Sequence, residues 1–367
     1  AKKKQALTKT QQKQIKKFAK KNPKVFIIGL VAVLVIGGIG VGVYLFLNRE
    51  KPKEPIDSGE VRIHFLELGN KYSGDCILVQ CGETDILIDA GSRKNSAPYI
   101  TDYIDKQITD NKLEYLIVTH AHQDHIAALV GSGNEGIFDH YKIDNIIQFS
   151  LTNQDETKGL YKEYLDKRDA EVASGAKLFL AGDLVKEKKN KIDFGNNLSM
   201  TILDQKYYYE ADKNDENNYS VCTLITQGIN NYLFTGDLEK SGEESLVELN
   251  DLPKCQLFKA GHHCSYTASN DVLLNKIKPE TVVITAVAGS DEYSKIPENQ
   301  FPAKASLDRI LKQTSNVYIT SKIDGDECKP MNGNILFKCE NGSAYTITGS
   351  NNSDKLVDTD WYEKNRK

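Results

Sequence analysis

Thr119-His120-Ala121-His122-Gln123-Asp124-His125 puts three imidazoles and a carboxylate into one short stretch. Neutral imidazole and carboxylate oxygen are the ligand types that Zn2+ and similar divalent ions take. Four polar side chains at this density serve no apolar core, because each would need a buried partner. A solvated polar loop is the plainer alternative. The apolar run Leu116-Ile117-Val118 leads directly into the group, so the pattern predicts ligands carried on a loop at the end of a strand.

Three further stretches are candidates to complete the same site. They are Ile86-Leu87-Ile88-Asp89-Ala90-Gly91, Leu233-Phe234-Thr235-Gly236-Asp237-Leu238 and Lys259-Ala260-Gly261-His262-His263-Cys264-Ser265. The first two are apolar runs ending in an aspartate, and the third carries paired histidines. In order and spacing, these and the H-x-H-x-D-H stretch resemble the metallo-β-lactamase superfamily across residues 61–349. The resemblance implies a four-layer αββα sandwich, with two sheets face to face and helices outside. It also implies two divalent ions, Zn2+ by preference with Mn2+ as an alternative. One would be held by Asp124, His125, Asp237 and one of His262 or His263. The other would be held by His120 and His122, with Asp237 as the bridge. Two such ions can hold a hydroxide and clamp the attacking and leaving oxygens.

Asp89 would orient a ligating imidazole, since such rings usually hand their other N–H to a carboxylate; the alternative is a strand-end turn residue. His262 and His263 are not separated by spacing, although the ligand role leans to His263. The other would face substrate and donate to a leaving-group oxygen. Asp124, His262 and Asp89 are thus the catalytic candidates, with substrate contacts expected from Ser265, Asn218 and Ser220. Cys264 stands where resembling sequences carry glycine; it reads as a small turn residue or as a thiol beside the metals. The superfamily often supplies one more histidine before the bridging aspartate. In this interval only His140 occurs, in an acidic and aromatic setting that reads as surface, so the His120/His122 position is short of a ligand. A late His-Pro of the DNA-uptake branch is replaced by Phe301-Pro302.

The elements that must position these groups are mixed. Strand signals fall at 61–66, 76–80, 85–89, 115–118, 177–180, 199–203, 221–226, 231–235, 255–258, 281–285 and 316–320. Helix candidates fall at 99–109, 155–172, 239–249, 270–277 and 303–313. Periodicity alone supports only a mixed α and β chain. His64, on the first strand, reads as structural. Tyr207, Tyr208 and Tyr209, with Tyr219 and Tyr266, are read either as core and strand-edge residues or as a stacking surface for a base or choline group.

Residues 1–24 hold ten lysines and no acid, and residues 25–47 are uncharged over 23 positions. At about 1.5 Å per residue, that run spans a hydrocarbon core of roughly 30 Å. The lysine bias predicts a signal anchor with a cytoplasmic N-terminus and the remainder outside the cell membrane. Gly38 and Gly42 fit a close helix–helix dimer contact, although the ordinary abundance of glycine in membrane helices is the favoured explanation. Residues 48–60 read as a linker, residues 61–349 as the hydrolase domain and residues 350–367 as a polar tail.

The chain carries 47 basic and 51 acidic residues, net −4. Without the ten N-terminal lysines, 37 basic residues face 51 acidic ones, and the balance is −14. Such an acidic balance gives no help to a long nucleic-acid footprint, which usually shows a basic face, and does not exclude binding in a locally positive, metal-filled cleft. Seven cysteines leave at least one unpaired within the chain. Cys328 and Cys339, flanking a turn signal, are the candidate pair, with all seven free as the alternative.

The stretch Asn217-Asn218-Tyr219-Ser220-Val221-Cys222-Thr223-Leu224 resembles the hydrolase domain of DNA-internalisation competence proteins and is similar to phosphorylcholine esterases. Both resemblances imply phosphodiester chemistry, on nucleic acid or on a cell-envelope polymer, and argue against a true β-lactamase. The competing expectation is a surface binding module that keeps the fold without catalysis.

Overall fold

The computed structural model describes residues 59–342 and 344–367. The basic segment, the apolar run with Gly38 and Gly42, and the linker up to residue 58 lie outside the described residues. Among the described residues no helix is long and apolar enough to cross a membrane.

Two eight-stranded sheets form the centre. In the first sheet, β1 (Glu60–Phe65), β2 (Ile77–Cys81) and β3 (Thr84–Ile88) pair antiparallel. Then β3, β4 (Lys112–Val118), β5 (Lys142–Gln148) and β6 (Lys177–Leu180) run parallel. β15 (Ile335–Glu340) and β16 (Tyr345–Gly349) extend the other edge. The second sheet repeats this plan. β7 (Lys191–Gly195), β8 (Leu198–Ile202), β9 (Thr223–Gln227) and β10 (Asn230–Phe234) pair antiparallel. β10, β11 (Leu257–Lys259), β12 (Thr281–Ala288) and β13 (Val317–Asp324) run parallel, and β14 (Glu327–Pro330) closes the edge antiparallel.

Side-chain alternation sorts residues onto the two faces. Leu257 and Val283 join the core shared with the first sheet, whereas Phe258, Val282 and Ile284 pack outward with Leu273 and Leu307 of the covering helices. Ring pairs cross between the sheets, Phe65 with Phe234 and Tyr232 with Phe337. Each fully buried side chain of this size contributes about 1.5–3 kcal/mol. The expected α/β sandwich is present. β12 is buried along its whole length and β-branched at six of its eight positions, as suits a parallel strand covered on both faces.

Several expectations need correction. The helix expected at 155–172 is α4 (Gly159–Ala173), counting α1 (Ala97–Ile104), α2 (Gln123–Val130) and α3 (Ile137–His140) before it. β5 and β7 escaped the strand reading because charged residues interrupt them, and β14, β15 and β16 also lie outside the expected runs. The expected polar tail is folded: Leu356 is buried, and Arg366 donates to the Pro302 and Gln300 carbonyls at 2.9 Å each. The last residues therefore brace the segment carrying Phe301. Cys328 lies in the second sheet and Cys339 in the first, and no disulfide joins them or the other cysteines among the described residues.

Candidate metal centre

Parallel strands release their chains at the same end, and the chemistry collects there. Asp89 follows β3, residues 119–125 follow β4, Asp237 follows β10, and His262 and His263 follow β11. Two glycines permit the close approach. A Cβ on Gly91 would fall 1.5 Å from the Asp124 carbonyl oxygen. Gly236 has φ +53, and a Cβ there would meet Ser220 Oγ at 2.8 Å and Thr119 Cβ at 2.9 Å.

Asp124, His125, Asp237 and His263 converge, with ligand atoms all within 4.8 Å of one another. His125 donates from Nδ1 to Asp89 Oδ2 at 2.7 Å. His263 donates from Nδ1 to the Thr285 carbonyl at 2.8 Å. Both rings therefore turn an Nε2 lone pair toward the shared centre. His263 Nε2 is 3.3 Å from both Asp124 Oδ2 and Asp237 Oδ2, and His125 Nε2 is 3.1 Å from Asp237 Oδ2. None of His125 Nε2, His263 Nε2 and Asp237 Oδ1 makes a hydrogen bond, although all are buried. Orphaned buried polar atoms are costly, and a divalent cation among them removes the cost. These residues fit a metal ion.

The electrostatics agree. Burial alone would lower the His125 and His263 imidazoles, but Asp237, with Asp89 and Asp75 beside them, holds both well above the ordinary range. Burial would raise Asp237, and the surrounding His125, His263, His262 and Lys259 pull it well below its ordinary value. The pocket demands positive charge.

Asp89 also accepts from the Thr119 amide (2.8 Å) and hydroxyl (2.7 Å), fixing the start of the ligand loop. His262 stays outside the four-residue set. Its Nδ1 donates to Glu239 Oε1 at 3.1 Å, its Nε2 is 3.8 Å from Asp237 Oδ2, and its side chain is partly exposed. His120 and His122 face each other, Nε2 to Nδ1 at 3.1 Å, with Thr119 Oγ1 3.1 Å from His120 Nδ1.

The three expected substrate contacts are placed otherwise. Ser220 Oγ accepts from the Asp237 amide at 3.0 Å. Asn218 is bonded to Asp212, Asp215, Ser241 and the Glu239 amide. Ser265 pairs with Thr267 in the turn after the histidines. All three are buried and shape the loops that carry ligands. Cys264 is buried with φ +65, which explains glycine at that turn in resembling sequences. His140 is exposed and paired with Asp105 at 3.0 Å. Tyr207, Tyr208 and Tyr219 are core residues, whereas Tyr209 and Tyr266 are exposed.

Four residues given no role by the sequence belong to the site. Asp75 is buried, held by the Thr285 hydroxyl at 2.5 Å and by an ion pair with Lys259. Lys259 is also fully buried, 3.6 Å from Asp237 Oδ1. Burial works to raise Asp75, yet Lys259 and His263 hold it at about 2. Glu239 steers His262, and the Tyr293 hydroxyl donates to Asp124 at 2.5 Å. A lysine ending an apolar strand, just before paired histidines, was the available signal for Lys259.

The family model for the metallo-beta-lactamase superfamily matches residues 69–286. The chain belongs to the metallo-beta-lactamase superfamily. Its metallo-beta-lactamase domain is similar to part of ComE operon protein 3 of Bacillus subtilis (strain 168), 26% identical over 70% of this chain and 32% of that protein. Competence protein ComA of Neisseria gonorrhoeae is 40% identical over 20% of this chain and 11% of that protein. The chain thus spans about a third of the first relative's length. Among solved structures, the metallo-beta-lactamase fold protein YhfI from Bacillus subtilis aligns with TM-score 0.43 and 11% identity, over 76% of this chain and 100% of that one. The superfamily's metal-dependent hydrolase fold is therefore present, with a cluster able to hold the metal.

Proposed function

We propose that this chain is a membrane-anchored, metal-dependent phosphodiesterase whose catalytic domain faces the outside of the cell. The convergence of Asp124, His125, Asp237 and His263 on one point, with three buried atoms left without hydrogen bonds, carries the reading. Similarity to competence proteins and the phosphodiester resemblance of residues 217–224 support the substrate class. The lysine-rich segment before the apolar run at 25–47 supports the anchor.

In this reading Asp124, His125, Asp237 and His263 hold a divalent ion, Zn2+ by its ligand chemistry, and His120 and His122 with Asp237 hold a second more loosely. Bound metal supplies Lewis-acid activation of water and of the phosphoryl group at neutral pH. Asp89 and the Thr285 carbonyl fix which imidazole nitrogen faces the centre. Ser220 fixes the Asp237 backbone and Lys259 sets a positive charge behind its carboxylate. His262 is oriented by Glu239, which also accepts from Thr267 Oγ1 at 2.8 Å, and the partly exposed ring lies with Nε2 3.8 Å from Asp237 Oδ2. Carrying a proton on each nitrogen, one given to Glu239, it would pass the Nε2 proton to the departing oxygen.

The test uses the full-length chain in detergent, with added Zn2+ or Mn2+ and after chelation. Bis-p-nitrophenyl phosphate is cleaved with metal and not without it, and nitrocefin is untouched. Hydrolysis of nitrocefin alone sinks the phosphodiester reading. A second substrate reading, phosphorylcholine-type esters, is favoured by Glu239 beside His262 and by Asp215 next to Glu239. Burial and the neighbouring Glu239 push Asp215 up to about 7, and such a carboxylate group suits a cationic headgroup better than a polyanion. Comparing p-nitrophenylphosphorylcholine with single-stranded DNA separates the two. For the anchor, protease added to intact cells degrades the catalytic domain; full protection of it overturns the orientation.

A further inference from the structure

Tyr293 stands at the boundary between the buried ligand set and solvent. Its side chain is 50% exposed, yet its hydroxyl donates to Asp124 Oδ2 at 2.5 Å. That oxygen is 3.3 Å from His263 Nε2, so the phenol oxygen lies one contact outside the candidate ligands. The ring is held in place. Its centroid is 5.1 Å from that of Phe301, which packs against His263 at 5.6 Å and His262 at 6.0 Å. One residue earlier, the Glu292 carboxylate accepts from the Ser73 amide at 3.0 Å and from Arg93 Nη2 at 2.6 Å. Packing on Phe301 and the contacts of the neighbouring Glu292 thus hold this stretch against the site.

We propose that Tyr293 is a catalytic residue of this centre, donating a hydrogen bond to a non-bridging phosphoryl oxygen of the substrate. The proposal rests on the phosphodiesterase reading above. A phenol has one proton, and rotation about its C–O bond re-aims it without moving the ring. A carboxylate whose lone pairs face a cation holds that proton less firmly, so the donor is available to an oxygen arriving from the open side. A donor fixed by packing pays little reorganisation when charge gathers on the oxygen it faces. The competing role is structural: the hydroxyl would only steer the Asp124 carboxylate. Steering Asp124 acts through metal affinity, whereas donation to the substrate acts through kcat.

The experiment compares Tyr293→Phe with wild type in the full-length chain. It measures kcat and KM on bis-p-nitrophenyl phosphate, bound metal by elemental analysis, and the thermal melt. The expected result is a fall in kcat of about 10²-fold, the size of one lost transition-state donor, with KM, metal content and melting unchanged. A kcat within about twofold of wild type overturns the proposal, since that is far less than one such donor contributes. A loss of metal that matches the loss of rate overturns it too, and assigns Tyr293 to Asp124 alone. A wild-type chain that retains metal but cleaves no phosphodiester overturns the functional reading itself, and this proposal with it.

Discussion

The two halves of the histidine motif end in different surroundings. His125 and Asp124 join Asp237 and His263 in a closed set, each imidazole pinned by a carboxylate or carbonyl behind it. His120 and His122, just ahead of α2, meet one another, and the Thr119 and Ser220 hydroxyls lie 3.1 and 3.5 Å from His120 Nδ1. His120 is buried, and burial with His125 and His122 nearby lowers it well below the ordinary imidazole range. Identical side chains in one motif thus differ in how completely the rest of the chain supports them. Metal affinity follows that support more than the count of histidines.

The largest effect that tests this contrast is at Asp237. Asp237→Ala removes the carboxylate proposed to bridge both positions, and the proposed phosphodiesterase activity falls by several orders of magnitude. That exceeds the roughly 10²–10³-fold cost of one lost transition-state donor. His140→Ala, at an exposed residue paired with Asp105, leaves the rate near wild type. Equal damage from the two variants would make His140 the missing ligand and reverse the comparison.

Next is the charge behind the closed set. Lys259→Met keeps the apolar stem but leaves Asp75 buried without its cation. Breaking a buried pair in this way costs about 3–5 kcal/mol, read as a lower urea midpoint with unchanged slope. A loss below about 1 kcal/mol would be that of a surface pair, and Lys259 would then have no part in holding the site together.

His64 supplies an acid sensitivity that must be separated from any metal effect. It is buried between Tyr103 Oη (2.9 Å) and Gln80 Oε1 (3.1 Å), and burial lowers its pKa from 6.5 to about 4. The unfolded chain therefore takes up this proton first as the pH falls. The contribution is complete above pH 6.5 and is lost as the pH drops through about 4; it amounts to about 3 kcal/mol. His64→Gln flattens the stability curve across that window, and an unchanged curve refutes the assignment.

The smallest expected effect is none at all. After mild dialysis the chain keeps about one ion, and the double variant His120→Ala, His122→Ala keeps the same, because the closed set holds it. His263→Ala loses it. Two ions retained with equal firmness would show that the open pair is as well supported as the closed set.

Much of this was legible in the sequence because strand-end motifs are local. An apolar run followed by Asp89, by His120 to His125, by Asp237 or by His262 and His263 marks both a strand and the group at its end. That pattern pointed to the superfamily, the two-sheet class and the four ligand stretches. Only the tertiary structure places His263 in the four-residue cluster and His262 beside it, because the two placements depend on the Thr285 carbonyl and on Glu239, distant in sequence. It also moved Ser220 and Asn218 from the substrate to the support of Asp237 and its loop. Asp75 and Tyr293 could not be assigned locally for the same reason, and Lys259 carried only its place before the paired histidines. A lone aspartate, lysine or tyrosine carries no periodic signal, and its role appears only when two sheets bring it against a carboxylate or cation from elsewhere in the chain. The C-terminal residues looked like a solvated tail because they are polar, yet Arg366 is buried by finding two backbone carbonyls. Composition reports how much water a segment would accept, whereas hydrogen-bond partners supplied by the fold determine whether it stays there.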